Sequence, residues 1–136
     1  MRRILPFIAL VLVLAACHGS GDIKVSNAEH EAPALENPFV HTVYVWFKED
    51  VTEEQRAQMY TDTEALRSIE VVKALYTGKP AATDRPIVER SYDYAIIVHF
   101  EDLAGHDAYQ QHPVHLALLE NHSSLWEKVM ITDVEK

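Results

Sequence analysis

Tyr92-Asp-Tyr94-Ala-Ile96-Ile-Val98-His-Phe100 places Tyr92, Tyr94, Ile96, Val98 and Phe100 on one side and Ala95, Ile97 and His99 on the other. That two-residue period is the signature of a β-strand, whose successive side chains face opposite ways. Neither side is strongly polar, so the strand needs a cover on both faces.

Upstream, the first folded stretch begins near Phe39 and repeats the pattern. His41, Val43, Val45 and Phe47 share one side, and Thr42, Tyr44, Trp46 and Lys48 the other. Thr52-Glu-Glu-Gln55 then reads as a capping box, in which the threonine oxygen accepts from the amide three residues on and the glutamine reaches back. The spacing predicts a helix over 53–68 with Ala57, Tyr60, Thr63 or Glu64, and Leu66 as its buried stripe. Val71–Thr77 is β-branched and aromatic enough for a second strand, closed by Gly78-Lys-Pro80. Residues 81–90 lose all period and read as a loop.

Downstream, Asp102 can cap a second helix in which Leu103, His106 and Tyr109 or Gln110 recur at helical spacing. Pro113 lacks an amide hydrogen, so Gln111-His112 must be a break, after which the proline can open a fresh helix carrying Val114, Ala117, Leu118 and Asn121. Trp126–Val134 has the propensity of a last strand, anchored by Trp126 at the helix–strand junction. The order is β-α-β-β-α-β, an α+β ferredoxin-like fold with a four-stranded antiparallel sheet and its helices on one face. The other face keeps aromatics and valines, and an exposed apolar surface of that size marks association. A homodimer with sheets facing each other, a dimeric α/β barrel, is therefore expected, leaving a chamber near the Tyr109–His115 bend.

The amino terminus stands apart from the fold. Met1-Arg-Arg, an apolar run over 4–14 and Leu14-Ala-Ala-Cys17 resemble a bacterial lipoprotein signal, too short to span a bilayer comfortably. This reading divides the chain into a signal peptide over 1–16, a flexible tether over 17–38 and a folded domain over 39–136. The single cysteine, Cys17, becomes the lipidation site and the membrane anchor. The expected location is the periplasmic face of a bacterial membrane, and His18 in place of an aspartate after the cysteine, by resemblance to Gram-negative sorting signals, implies the outer one. His18 and His30 read as solvated tether residues.

Processing would also remove Arg2 and Arg3. Basic residues then fall from 12 to 10 against 21 acidic ones, and the formal charge moves from −9 to −11. Such a balance excludes nucleic acid as a partner, because polyanion binding depends on basic groups.

The chemistry concentrates at Tyr109, His112 and His115, spaced three residues apart around the proline. An imidazole near neutrality can take or give a proton, and a phenol can donate to an oxygen where charge develops. His112-x-x-His115 could offer two metal ligands, but no third stands at a familiar spacing, and His41, His106 or Glu120 would serve only by tertiary placement. No metal and no cofactor are expected. His99 reads as a packed histidine, and His106 and His122 as solvent-facing. Tyr44, Trp46, Tyr76, Tyr92 and Tyr94 read as sheet packing or dimer contacts.

Phe39-Val-His41-Thr-Val-Tyr-Val-Trp-Phe47-Lys48, Thr52-Glu-Glu-Gln55, Tyr109-Gln-Gln-His112-Pro-Val-His115 and Ser124-Leu-Trp126-Glu-Lys together resemble the stress-responsive A/B barrel, or Dabb, family over nearly everything after residue 38. The resemblance implies a ferredoxin-like dimer with a barrel-like centre. One plant member closes a linear polyketide by aldol condensation. Likeness to it implies His115 as the base and Tyr109 as the group assisting at the carbonyl. It also implies His41 and His112 as cavity histidines, with Thr63 and Tyr94 standing where that cyclase has a tyrosine and a histidine.

Three functions are consistent with these residues. The first is a lipid-anchored dimer that binds a small apolar or aromatic molecule beside the sheet. The second is an acid–base enzyme with cyclase-like or lyase chemistry at His115 and Tyr109, and the third is a structural or stress-protective protein whose histidines only pack.

Overall fold

Four strands, β1 (Phe39–Phe47), β2 (Ala74–Gly78), β3 (Tyr94–Phe100) and β4 (Trp126–Val134), form one sheet in the order β2-β3-β1-β4. This is a computed structural model; it describes Leu35 and residues 38–136, which belong to the compact unit Pro33–Lys136. The expected leader, Cys17 and nearly all of the tether lie outside the described residues. All three neighbouring pairs are antiparallel, and β1 and β3 are the central strands. The ferredoxin-like α+β fold read from the sequence is the fold observed.

Helices α1 (Glu53–Glu64), α2 (Leu103–Gln110) and α3 (Pro113–His122) supply the inward cover. α1 starts where the capping box requires: Thr52 Oγ1 accepts from the Gln55 amide at 3.2 Å, and Gln55 Oε1 accepts from the Thr52 amide at 2.9 Å. It tightens into a 3-10 turn over Ala65–Ser68. Its buried residues are Met59 and Thr63, joined by Leu66 of that turn, whereas Ala57 faces solvent. The expected stripe was therefore wrong at Ala57. The helix has so few apolar residues that only contact with the sheet decides its orientation.

The central strands carry the core, with Val45, Val98 and Phe100 fully buried. β2 begins later than its propensity suggests, because Ile69–Val72 is spent in a turn closed by the Val72 amide on the Ile69 carbonyl at 2.9 Å. Tyr92 also departs from expectation. It precedes β3 and packs on Tyr44 (4.9 Å) and Trp46 (6.4 Å) on the face away from the helices, while Tyr94 stacks on Tyr60 of α1 at 4.3 Å. The cause lies between them: the Asp93 amide bonds to the Val45 carbonyl, while its carboxylate takes the Phe47 amide at 2.8 Å. That detour breaks the alternation.

The outer face of the sheet bears Tyr44, Trp46, Tyr76, Ile97 and Met130, with no described element over it. Tyr76 and Met130 are exposed there. Lys128 lies 4.2 Å over the Trp46 ring, its charge directed at the aromatic face.

Candidate functional site

The break between α2 and α3 builds the site. Pro113 cannot donate an amide hydrogen, so α2 ends at Gln110 and the last carbonyls of the helix lose their ordinary partners. The side chains nearby repair the damage. His112 Nδ1 caps α3 by accepting from the Val114 amide at 3.2 Å, and His115 Nδ1 lies 3.2 Å from the Gln110 carbonyl. A carbonyl only accepts, so His115 Nδ1 is the donor and its Nε2 keeps the lone pair.

Tyr109 comes from the last turn of α2, with its ring 4.4 Å from that of His115 and 5.0 Å from Phe100. His41 enters from β1, its ring 6.2 Å from Tyr109. These three side chains are buried, at 2%, 6% and 3% exposure for Tyr109, His115 and His41. They line a cavity of about 120 Å³ whose polar wall is completed by Gln110. The apolar wall is Val43, Ile96, Leu118, Trp126 and the inward residues of β4, Val129 and Ile131.

The cavity lies between the sheet and α2–α3 within one chain. The chamber expected between two facing sheets is thus misplaced: Tyr109 and His115 point to the helix side, and a second copy is not needed to form it. Burial explains the protonation states. Loss of solvent pulls His115 below the ordinary imidazole range, with the Gln110 carbonyl opposing and His41 and His106 reinforcing the shift. His41 is lowered by burial too, against the pull of Asp133. Burial pushes the Tyr109 phenol well above its usual value, so it remains a hydrogen-bond donor at neutral pH. The arrangement offers a neutral imidazole with a free nitrogen beside a protonated phenol.

Of the other candidate site residues, His112, Thr63 and Tyr94, none lines the cavity. His112 is the helix cap just described. Thr63 is buried and donates to the Met59 carbonyl of its own helix at 2.8 Å, and Tyr94 is occupied by Tyr60. His106 and His122, expected in solvent, are packed. His106 stacks on Phe39 at 4.6 Å, and His122 Nε2 meets Asp62 Oδ2 at 2.7 Å.

Two neighbours escaped the sequence reading. Gln110 contributes a backbone carbonyl, which no side-chain pattern announces. Asp133 sits opposite His41 in the β1–β4 register and holds His41 Nδ1 at 2.6 Å. One signal for Asp133 was available, since Val129, Ile131 and Asp133 alternate onto one face and a lone acid there interrupts an apolar series. His41, His106 and Asp133 also bring one ligand atom each to within 4.8 Å of one another, the grouping best suited to a cation among the described residues.

Known proteins share this framework. The chain is 29% identical over 94 residues to olivetolic acid cyclase of Cannabis sativa, an overlap of 68% of this chain and 91% of the cyclase. A dimeric ferredoxin-like protein of unknown function from Thermobifida fusca superposes with a TM-score of 0.63 at 23% identity, over 74% of this chain and 92% of that one. Hydroxynitrile lyase from Passiflora edulis superposes with a TM-score of 0.62 at 20% identity, over 73% and 93% of the two chains. With residues 39–136 matching its family model, this chain belongs to the stress responsive A/B barrel domain family.

Proposed function

We propose that the domain binds a small, mainly apolar molecule with one polar oxygen in the cavity between the sheet and α2–α3. The observation behind this reading is the convergence of Tyr109, His115 and His41 on a largely apolar space of about 120 Å³. A dry cavity of about 150 Å³ accommodates benzene, so the ligand class is a single ring or a short chain. A purely structural role gives no reason to keep such a space open beside these polar side chains.

Acid–base catalysis is the second reading, favoured by the His115 tautomer. His115 Nε2 would take a proton from the carbon next to a carbonyl, while the Tyr109 hydroxyl donates to the oxygen that gains negative charge. The resulting carbanion equivalent attacks a second carbonyl to form a carbon–carbon bond, and the imidazolium returns its proton to the new alkoxide. Run backwards, the same steps constitute a lyase. A cyclase and a lyase among the similar proteins support that chemistry.

The assembly we propose is a homodimer through the outer sheet face, supported by the dimeric relatives of the same fold. Cys17 would carry the lipid, with the tether over 17–38 holding the domain off the periplasmic face of the outer membrane.

Native mass spectrometry, together with ligand-observed NMR using benzaldehyde, acetophenone and cyclohexanone, tests the binding reading. Binding is expected for at least one of these and is expected to vanish in Leu118→Trp, which fills the cavity. No binding, or equal binding by the filled variant, would overturn it.

A further inference from the structure

We propose that His41, His106 and Asp133 form a binding site for one divalent transition-metal ion, with zinc as the reference cation. This inference is independent of which molecule enters the cavity. The three side chains come from β1, α2 and β4, and one ligand atom from each lies within 4.8 Å of the other two. Their placement is rigid. His41 and Asp133 are direct partners in the β1–β4 ladder, and His106 is held between Phe39 and Phe100, with ring centroids 4.6 and 5.6 Å away.

His106 is incompletely satisfied as it stands. Its Nδ1 is buried without a hydrogen-bond partner, although Asp107 Oδ1 is an ionic neighbour at 3.4 Å. Its Nε2 lies 2.9 Å from the Gln110 side-chain nitrogen. If Nε2 ligates, Nδ1–H faces the Asp107 carboxylate. If Nδ1 ligates, Nε2–H needs the Gln110 amide turned so that its oxygen accepts. Either way the second nitrogen is held, as is usual behind metal-bound imidazoles. A buried polar atom with no partner is uncommon, and a cation supplies one.

The donor set selects the cation. Two imidazoles and one carboxylate suit zinc, iron(II) or cobalt(II), whereas calcium and magnesium favour all-oxygen shells. Bound through Nδ1, the ion replaces the proton now shared by His41 and Asp133 across 2.6 Å. With tetrahedral metal–ligand bonds of about 2.0–2.2 Å, those atoms settle about 3.4 Å apart, an opening of roughly 0.8 Å that the exposed Asp133 side chain can supply. The displaced proton leaves to solvent past the Asp133 side chain, which is 43% exposed. Three protein ligands leave a coordination position open, as in metal sites that act on a bound oxygen. His41 also lines the cavity, so the ion would share one side chain with the ligand space.

The test is titration of the full chain with zinc alone by calorimetry, Cys17→Ser being present in every sample to remove the thiol. NMR of the imidazole nitrogens accompanies it. One zinc per chain is expected, with His41 and His106 nitrogens shifting. Binding should weaken at least about tenfold in His106→Gln and in Asp133→Asn, and persist in His99→Gln and in His112→Asn, which keeps a capping acceptor. Asp133 is on the surface, so its variant retains the fold, and the NMR result needs no variant. Failure of zinc to bind, unchanged binding in both ligand variants, or nitrogen shifts confined to other histidines would each overturn the site.

Discussion

His122 Nε2 and Asp62 Oδ2 stand 2.7 Å apart and tie the end of α3 to α1. The pair spans 60 residues of sequence and joins two of the three helices that cover the sheet. Its imidazole is buried and its carboxylate half-open. His122→Ala is therefore expected to cost about 1–3 kcal/mol, the range for removing one partner of a buried hydrogen bond, read as a lower denaturant midpoint at unchanged m-value.

The same pair sets an acid limit. The hydrogen bond from His122 holds the Asp62 carboxyl below its ordinary range, with Gln58 assisting. A carboxyl with a lowered folded-state pKa stabilises fully above the unfolded value, about 3.9, and loses that contribution as pH falls through the folded value. The stability difference between the parent and Asp62→Asn should shrink as the pH falls from about 5 to below about 4. Urea unfolding across that range measures it, and a difference that grows on acidification would contradict the assignment.

The capping box gives a separate, local test. Thr52→Ala removes the acceptor for the Gln55 amide, and helix caps of this kind contribute about 1 kcal/mol. Thermal unfolding should show that loss, with hydrogen exchange accelerated in the first turn of α1 and not in α3.

For the outer face, Ile97→Asp places a charge at the centre of the apolar surface proposed to meet a second copy. Light scattering should report a dimer for the parent and a folded monomer for the variant. A parent that is monomeric at high concentration would remove the dimer from the proposal.

Under the catalytic reading, His115→Gln should lower turnover by about 10²–10⁴, the usual contribution of general acid–base catalysis. Tyr109→Phe should lower it by about 10²–10³, as loss of one oxyanion donor does. Both are expected to retain ligand binding in the NMR assay. Turnover that survives both substitutions would leave binding as the function.

What could be read in the sequence was whatever the chain decides locally. The alternation in β1 and, from Tyr94 onward, in β3, the Thr52–Gln55 box and the Pro113 break each depend on neighbours within a few residues, and each appears where expected. Membership of the family and the ferredoxin-like order were legible from the same motifs. Choices made by distant contacts were not. Met59 rather than Ala57 is buried because of the sheet beneath it, and Tyr92 changes face because Asp93 bonds to β1. The His41–Asp133 pair needs the β1–β4 register, and the burial of His106 needs Phe39 beside it. Tyr109 and His115 were found because a proline advertised their bend, whereas the apolar wall opposite them belongs to strands of unknown register.

The contact between His115 and the Gln110 carbonyl has a consequence for how this framework diversifies. The aim of that imidazole is set by a helix end five residues away, so the sheet has little say in it. Exchanges at Val43, Ile96 or Val129 can reshape the compartment while the His115 imidazole keeps one bearing. Under the proposed binding reading, a lineage built on this plan is free to change its guest without re-aiming the imidazole.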